Sequence, residues 1–282
     1  MSPEATEIDR WTRIANSPAE DVSLAEGALL IAAEEYRDLD VDGYLNRVDE
    51  MGATLRRRLR SDISTTEALL ALNRYVFEEL GFSGNADDYY DPRNSYLNDV
   101  IERRLGIPIT LAVLYIEIGR RIGLSLHGVS FPSHFLVKCV LREGAIILDP
   151  YSRGASLGVE DLQHRLKSIA KDVELDESVL KTMLTSAEPR DIFARILRNL
   201  RAIYLSKGDH LKGLGASNRI ITLAPGAAEE YRDRAQLYLE LECFRAALED
   251  FRRYLRLKPD AHDSDSVTQH IAELEPVAAR LN

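Results

Sequence analysis

The chain has 282 residues, which is long enough for two domains with room for a sizeable hydrophobic core. Hydrophobic residues make up 45% of it and charged residues 29%, a composition that is typical of folded proteins and excludes a disordered chain. The formal net charge of -10 argues against a nucleic-acid binder, because such proteins normally carry a clustered basic face.

The sequence also argues against a membrane protein and against a metal site. No apolar run approaches the roughly 20 residues that span a bilayer, and the N-terminus lacks a signal-peptide pattern. Cys139 and Cys243 are far apart, lack metal-ligand spacing and lie in apolar stretches, which predicts buried, reduced thiols in a cytoplasmic protein. The six histidines are scattered, so we expect no metal and no other cofactor.

Residues up to about 90 predict a helical N-terminal part. Apolar residues recur there at three- and four-residue intervals, in runs that begin near aspartate, serine or threonine. The predicted helices are Ala25 to Tyr36, Val41 to Arg60 and Thr65 to Leu80. The acidic and aromatic segment from Asp87 to Pro92 follows a glycine-rich turn and is predicted to be an exposed loop.

A buried central helix and a small sheet are predicted next. Asn94 is a suitable N-cap for a helix that ends at Gly106. Pro108 suits the first turn of the following helix, which extends to about residue 122 and is apolar on most sides, as in a buried helix. Alternating apolar residues then predict three antiparallel strands, at residues 126–131, 135–140 and 145–148.

The last part of the chain contains a repeat. Four residue pairs share an offset of 34: Pro225/Pro259, Tyr204/Tyr238, Leu197/Tyr231 and Leu223/Leu257. This helix-turn-helix period is the tetratricopeptide signature and predicts about two repeats, followed by a capping helix from Ser264. The match is partial, because Gly213 and Ser217 replace the small and aromatic residues expected in the first copy.

His134 and Asp149 form the candidate catalytic pair. His134 opens the second predicted strand and Asp149 follows the third, and an antiparallel pair returns to the end of the sheet where it started. The two side chains are therefore predicted to meet, with Asp149 fixing the imidazole tautomer and the other ring nitrogen facing the start of the central helix. A pair that only anchors the two strands is the alternative.

Four motifs occur in order along the chain: Asn94-Ser95-Tyr96-Leu97-Asn98, Gly106-Ile107-Pro108-Ile109, Phe131-Pro132-Ser133-His134-Phe135 and Asp149-Pro150-Tyr151. Together they resemble the bacterial transglutaminase-like family with C-terminal tetratricopeptide repeats, often named after an invasion-gene regulator, Sir B. The resemblance implies an α+β fold, with a papain/transglutaminase-like core and a helical repeat region. Residues 1–185 would then be the transglutaminase-like domain and residues 186–282 the repeats.

The resemblance also indicates that the usual nucleophile is missing. In active transglutaminases a Gly-x-Cys-x-x-x-Ala segment starts the central helix. Gly106 and Ala112 match the ends of this segment, so the cysteine falls on Pro108. A helix N-terminus and a facing protonated histidine would stabilise a thiolate at that position, whereas proline supplies neither a nucleophile nor an N–H group.

Three nearby residues could replace the thiol, and none is convincing. Thr110 lies near the helix start, but its hydroxyl would need a base in direct contact. Ser133 adjoins His134 and would point to the opposite face of the strand, and Cys139 lies five residues further on with the same consequence. Glu117, on the same helical stripe as Thr110, is predicted to be a buried charge paired with an arginine, for which Arg103 and Arg104 are candidates. A position in the cleft is the alternative for Glu117.

Two main hypotheses about function follow. The first is a non-catalytic transglutaminase-like protein that binds a protein or peptide, both through the concave surface of its repeats and in a core cleft with the motif residues Asn94, Asn98, Pro108, Thr110 and Ser133. The second is a hydrolase or transferase of amide or ester bonds, with His134 as general base oriented by Asp149. A third, suggested by the family's name, is a regulatory partner of a transcription factor.

Overall fold

The structure is a computed structural model that describes residues 3–169 and 177–280. The chain forms two compact units, Met1–Ile192 and Phe193–Asn282. The predicted fold class is confirmed, because the described chain is mainly helical, contains a small antiparallel sheet and ends in a helical region. No helix within the described ranges combines the length and the hydrophobicity that crossing a membrane requires.

The first unit is built from helices α1 to α8 and strands β1 to β6. The helices are α1 (Pro3–Asn16), α2 (Leu24–Ala33), α3 (Val41–Arg58), α4 (Thr65–Asn73), α5 (Leu97–Arg103), α6 (Pro108–Arg121), α7 (Val159–Ile169) and α8 (Glu177–Met183). The strands are β1 (Ser83–Gly84), β2 (Leu105–Gly106), β3 (Leu126–Val129), β4 (Leu136–Val140), β5 (Ala145–Asp149) and β6 (Ala155–Leu157). A π-helical turn continues α4 over Arg74–Glu79, and short 3-10 helices cover Ala19–Asp21, Pro92–Asn94 and Pro150–Ser152.

Helix α6 is the buried centre of the first unit, as predicted. Every residue from Pro108 to Gly119 is buried, and the helix packs against α2, α3, α4 and the strands β3 and β4. Its first residue is proline, which fits because the first N–H groups of a helix have no intrahelical partner. The end of α6 becomes polar at Arg120 and Arg121, where the helix reaches the surface.

The four-stranded sheet has the order β3-β4-β5-β6 and is antiparallel throughout. Strands β4 and β5 are the two inner strands, with Val137 paired with Leu148 and Lys138 paired with Ile147. Leu136 and Ile147 join residues of α7 and α8 in one apolar cluster, so these helices cover one face of the sheet. The sequence did not predict β6, which is short and mostly exposed and therefore has little apolar alternation.

Two predicted positions are corrected by the structure. Asn94 is not a helix N-cap: it is the last residue of a 3-10 helix, and α5 begins only at Leu97. His134 does not open a strand, because β4 begins at Leu136 and His134 lies in the preceding turn. Both errors have the same physical origin, since a tight turn between the elements uses residues that local preference assigns to the next element.

The second unit consists of helices in series. They are α9, which begins just before the unit boundary (Pro189–Ser206), α10 (His210–Leu223), α11 (Ala228–Glu240), α12 (Phe244–Leu257) and α13 (Ser264–Arg280). Fully buried Ala235, Ala247 and Phe251 form the centre of an apolar cluster between α11, α12 and α13. Ser217 is also fully buried, and its hydroxyl accepts a hydrogen bond from Arg201 at 3.2 Å. That bond explains why the first repeat has a polar residue there.

We expect Gly154→Ala to destabilise the first unit by about 2 kcal/mol or more. Gly154 has a φ of +74°, and an added Cβ would lie 2.0 Å from Oδ1 of Asn73. Gly144→Ala is the matched control, because Gly144 has a φ of +88° and a Cβ added there would meet open space. The control is expected to cost only the backbone term of about 1 kcal/mol. Equal losses in urea denaturation would show that the contact with Asn73 has no effect.

Candidate functional site

The structure brings His134 and Asp149 into direct contact. Nε2 of His134 lies 2.9 Å from Oδ1 of Asp149, and the imidazole is 19% exposed. The turn of His134 is closed by its N–H, which donates to the carbonyl of Phe131. Because β4 and β5 are antiparallel, the residue before β4 and the end of β5 lie at the same end of the sheet. A catalytic role for this pair stays a prediction.

Asp149 receives more hydrogen bonds than a histidine partner alone would explain. Its Oδ1 accepts from His134 and from the backbone N–H groups of Tyr151 and Ser152, at 3.1 and 3.3 Å. Its Oδ2 accepts from the hydroxyl of Ser152 at 2.9 Å and from Arg165 at 2.8 Å. Burial raises the pKa of the Asp149 carboxyl. The hydrogen bond and charge of His134, together with the hydrogen bonds from Arg165 and Ser152, outweigh burial and hold this pKa well below its ordinary value.

Arg165 and Ser152 are members of the site that the sequence analysis missed. Ser152 had a signal, since an aspartate followed by proline is a common start of a short helix and here caps Pro150–Ser152. Arg165 had none, because it lies 16 residues from Asp149 on α7 and only packing brings it near.

A series of contacts joins the His134 site to the start of α6. The rings of His134 and Tyr151 meet edge to face at 6.0 Å between centroids. The ring of Tyr151 covers Gly84, where an added Cβ would lie 2.4 Å from its Cε2 atom. Gly84 pairs with Gly106, two residues before Pro108. Two of the residues that the sequence predicted to share a site, His134 and Pro108, are therefore joined by this series of contacts.

The buried threonine near the helix start has a structural partner. Thr110 is fully buried, and its Oγ1 donates to the carbonyl of Asn94 at 2.7 Å. The same oxygen accepts from the N–H of Ile107 at 3.2 Å, which satisfies a group just before the helix. Thr110 thus joins the start of α6 to the segment of Asn94, and Pro108 between them is buried.

Asn94 and Asn98 are both buried, with different surroundings. The amide of Asn94 donates to the carbonyls of Asp88 and Tyr89 at 2.7 and 3.2 Å, and its oxygen accepts from Asn85 at 3.1 Å. Asn94 is therefore an anchor of the acidic loop. Within the described ranges, Oδ1 of Asn98 is buried without a hydrogen-bond partner.

The remaining candidate nucleophiles differ in accessibility. Ser133 is exposed and has a φ of +54° at the tip of the turn. Cys139 is fully buried in β4, and burial raises the pKa of its thiol. Cys243 is exposed, so the prediction that both thiols are buried was wrong for it. Cys243 is the N-cap residue of α12 in the turn after α11, where apolar neighbours in sequence do not imply burial.

No metal-binding group is found in the part of the chain that the structure describes. Within residues 3–169 and 177–280, no three side chains of histidine, cysteine, aspartate or glutamate are arranged to hold an ion. His134 and Asp149 instead form a pair with the cationic Arg165. This arrangement fixes the orientation of the imidazole.

Comparison with known families and relatives agrees with the observed fold. The model of the transglutaminase-like superfamily matches residues 42–198, and the tetratricopeptide repeat model matches residues 200–272. A UPF0162 protein of Xylella fastidiosa is 42% identical over 264 residues, covering 94% of each chain. A UPF0162 protein of Pseudomonas aeruginosa is 32% identical over 262 residues, covering 93% of this chain and 94% of that protein.

A more distant similarity is to human F-box only protein 21, which is 38% identical over 107 residues, or 35% of this chain and 17% of that protein. The bacterial relatives carry the name UPF0162, so the narrower assignment to the Sir B type stays a prediction. Because the first family model covers more than half of the chain, and the Xylella relative aligns along nearly all of it, the protein belongs to the transglutaminase-like superfamily, as a UPF0162 protein with C-terminal tetratricopeptide repeats.

Proposed function

We propose that this protein is a non-catalytic transglutaminase-like module that binds a protein or peptide. The observation that carries the proposal is Pro108, which begins the central helix at the position where the family resemblance expects the nucleophilic cysteine. Proline at this position suits the helix but cannot form a covalent intermediate. A transglutaminase-like domain joined to tetratricopeptide repeats fits a protein-interaction module.

The surroundings of the other candidate nucleophiles support this proposal. Thr110 is fully buried and donates its hydrogen bond to a backbone carbonyl. Cys139 is fully buried and its thiol pKa is raised, which lowers the thiolate fraction. The hydroxyl of Ser152 donates to Asp149 rather than to an imidazole nitrogen. The two hydroxyls donate hydrogen bonds within the fold and the thiol is buried, so none of the three is an activated nucleophile.

One observation favours the alternative of a hydrolase or transferase of amide or ester bonds. His134 is partly exposed and oriented by Asp149 at 2.9 Å, which is the geometry of an imidazole with a fixed tautomer. Such an imidazole could act as general base on water without a protein nucleophile. Asn98 and Ser133 would then belong to the cleft, as predicted from the motifs.

Further assignments complete the proposal. The proposed domain boundary is at residue 185, close to the unit boundary at Ile192 and to the end of the family match at residue 198. The proposed compartment is the cytoplasm, which the two free cysteines support. The net charge of -10 supports a protein partner rather than a nucleic acid.

We expect the purified full chain to show no hydrolysis of p-nitrophenyl esters or of glutamine-containing peptides that depends on His134. Ester cleavage is followed by absorbance and amide cleavage by ammonia release, for the wild type and for His134→Ala. Equal background rates support the non-catalytic proposal, because only chemistry at the site would be sensitive to the imidazole. Turnover that His134→Ala abolishes, with the fold intact by circular dichroism, would establish the alternative.

A further inference from the structure

Two neighbouring tyrosines are displayed on the surface next to the His134 site. Tyr90 is 73% exposed and Tyr89 is 38% exposed. Their rings meet edge to face at 5.3 Å between centroids, and Tyr89 also contacts Tyr151 at 6.4 Å. Since Tyr151 contacts His134, the four rings form a continuous row from the surface to the candidate site. Large exposed aromatic side chains of this kind are frequent at protein-binding surfaces.

The backbone under these tyrosines is held in place by two buried amides. Asn94, fully buried, donates to the carbonyls of Asp88 and Tyr89. Asn85, also buried, accepts from the N–H of Asp88 at 3.1 Å and donates to Asn94. The exposed segment is therefore preorganised, which lowers the entropy lost when a ligand binds.

The same segment carries two carboxylates that no described residue pairs in a salt bridge. Asp87 and Asp88 are exposed, and neither forms a salt bridge within residues 3–169 and 177–280. Asp91, three residues further on, is buried and paired with Arg93 and Arg103. Asp91 therefore stabilises the fold, whereas the carboxylates of Asp87 and Asp88 face solvent.

We propose that the segment Asp87 to Tyr90, here called the DDYY segment, binds a lysine or arginine side chain of a partner peptide. The inference rests on the proposed function and specifies the chemistry of its partner. Tyrosine rings attract cations to their faces, and arginine also stacks on them. The two carboxylates attract the same cation, and the charge of -10 on the whole chain favours a basic partner.

The row of rings gives the proposed peptide a direction. A cation on Tyr90 lies at the outer end of the row, and the following peptide residues extend over Tyr89 and Tyr151 toward His134. Exposed pairs of this kind bind weakly one at a time, so the peptide needs several contacts along the row.

Fluorescence polarisation of the full chain with two labelled octapeptides tests the inference. One peptide alternates arginine with alanine, and the other replaces each arginine by citrulline, which keeps the shape and removes the charge. We expect the arginine peptide to bind and the citrulline peptide to bind at least about tenfold more weakly. Tyr90→Leu should weaken binding of the arginine peptide about fivefold, whereas Tyr90→Phe, which retains a π face, should not.

A charge-matched pair of variants excludes general attraction to an acidic protein. Asp88→Asn and Asp62→Asn remove the same charge, and Asp62 is an exposed residue between α3 and α4. Only Asp88→Asn is expected to weaken binding, by about fivefold at 150 mM salt. Equal binding by Asp88→Asn and Asp62→Asn, or equal binding of the two peptides, overturns the inference.

The failure of the inference can be separated from failure of the proposed function. A peptide library of mixed charge is panned against the same full chain. Selection of neutral or acidic peptides that bind at the His134 site would overturn the inference of a basic partner. It would leave the proposed function standing. Absence of any selected peptide would overturn both. Self-association that Tyr90→Leu abolishes in sedimentation would place a second copy on the DDYY segment and also overturn the inference.

Discussion

Asp149→Ala is expected to lower the free energy of unfolding by about 3 kcal/mol at neutral pH. The change leaves Arg165 and His134 without the carboxylate that faces both, and it removes the acceptor of two backbone N–H groups and one hydroxyl. Arg165 is 31% exposed, so water partly replaces the lost partner and keeps the loss at the lower end for a broken buried ion pair. Urea denaturation of both proteins measures the difference.

The pH dependence of stability, compared between the wild type and Asp149→Asn, tests the charge of Asp149. Its pKa in the folded state is depressed, so the unfolded chain binds a proton more readily as the pH falls below the ordinary aspartate value of about 4. The stabilisation is complete above that value and is lost as the pH falls toward the folded-state pKa. Against Asp149→Asn, the wild type should lose about 1 kcal/mol of its advantage between pH 5 and pH 3. A difference independent of pH would contradict this account.

Glu117→Ala is expected to destabilise the first unit by about 3–5 kcal/mol. Glu117 is 3% exposed, and its Oε1 accepts from the N–H groups of Leu24 and Ala25, at 2.8 and 3.3 Å, at the start of α2. Its Oε2 lies 2.5 Å from Arg121 on the next turn of α6. A carboxylate at a helix N-terminus satisfies unpaired N–H groups and complements the helix dipole. The substitution would remove all three contacts from a buried position.

Asp49→Ala is the matched control for this prediction. Asp49 is paired with the same Arg121, but its side chain is 61% exposed, so the loss should stay below about 1 kcal/mol. Glu117→Gln keeps the size and one acceptor oxygen, and should fall between the two. Equal losses for Asp49→Ala and Glu117→Ala in thermal unfolding would show that burial of Glu117 has no energetic consequence.

Asp149 gives the histidine–aspartate pair a structural function in addition to any catalytic one. Asp149 joins the end of β5 to α7 and to the turn of His134. Its removal is expected to damage the fold, so the histidine–aspartate pair has a structural reason to persist beside Pro108. We therefore expect loss of stability to be a measurable consequence of substituting Asp149.

The helices can be predicted from sequence because their signals are local. Val41 to Arg60 was predicted as one helix, and α3 covers Val41–Arg58, since its stripe of apolar residues repeats with the helical period. The buried, arginine-paired charge predicted at Glu117 is also observed, but its partner is Arg121 on the same helix and not Arg103 or Arg104. His134 and Asp149 meet although His134 lies outside β4, because the hairpin brings both strand ends together regardless of where the strand begins.

The sequence by itself determined the helical periods, the 34-residue repeat and the presence of proline at the start of the central helix. Only the tertiary structure decided that five hydrogen-bond donors converge on Asp149. It also decided that Thr110 donates to the carbonyl of Asn94, and that Asn94 anchors the DDYY segment. These contacts join segments that are distant along the chain. Their hydrogen bonds depend on how the elements pack, and packing leaves no periodic signal in the residues that make them.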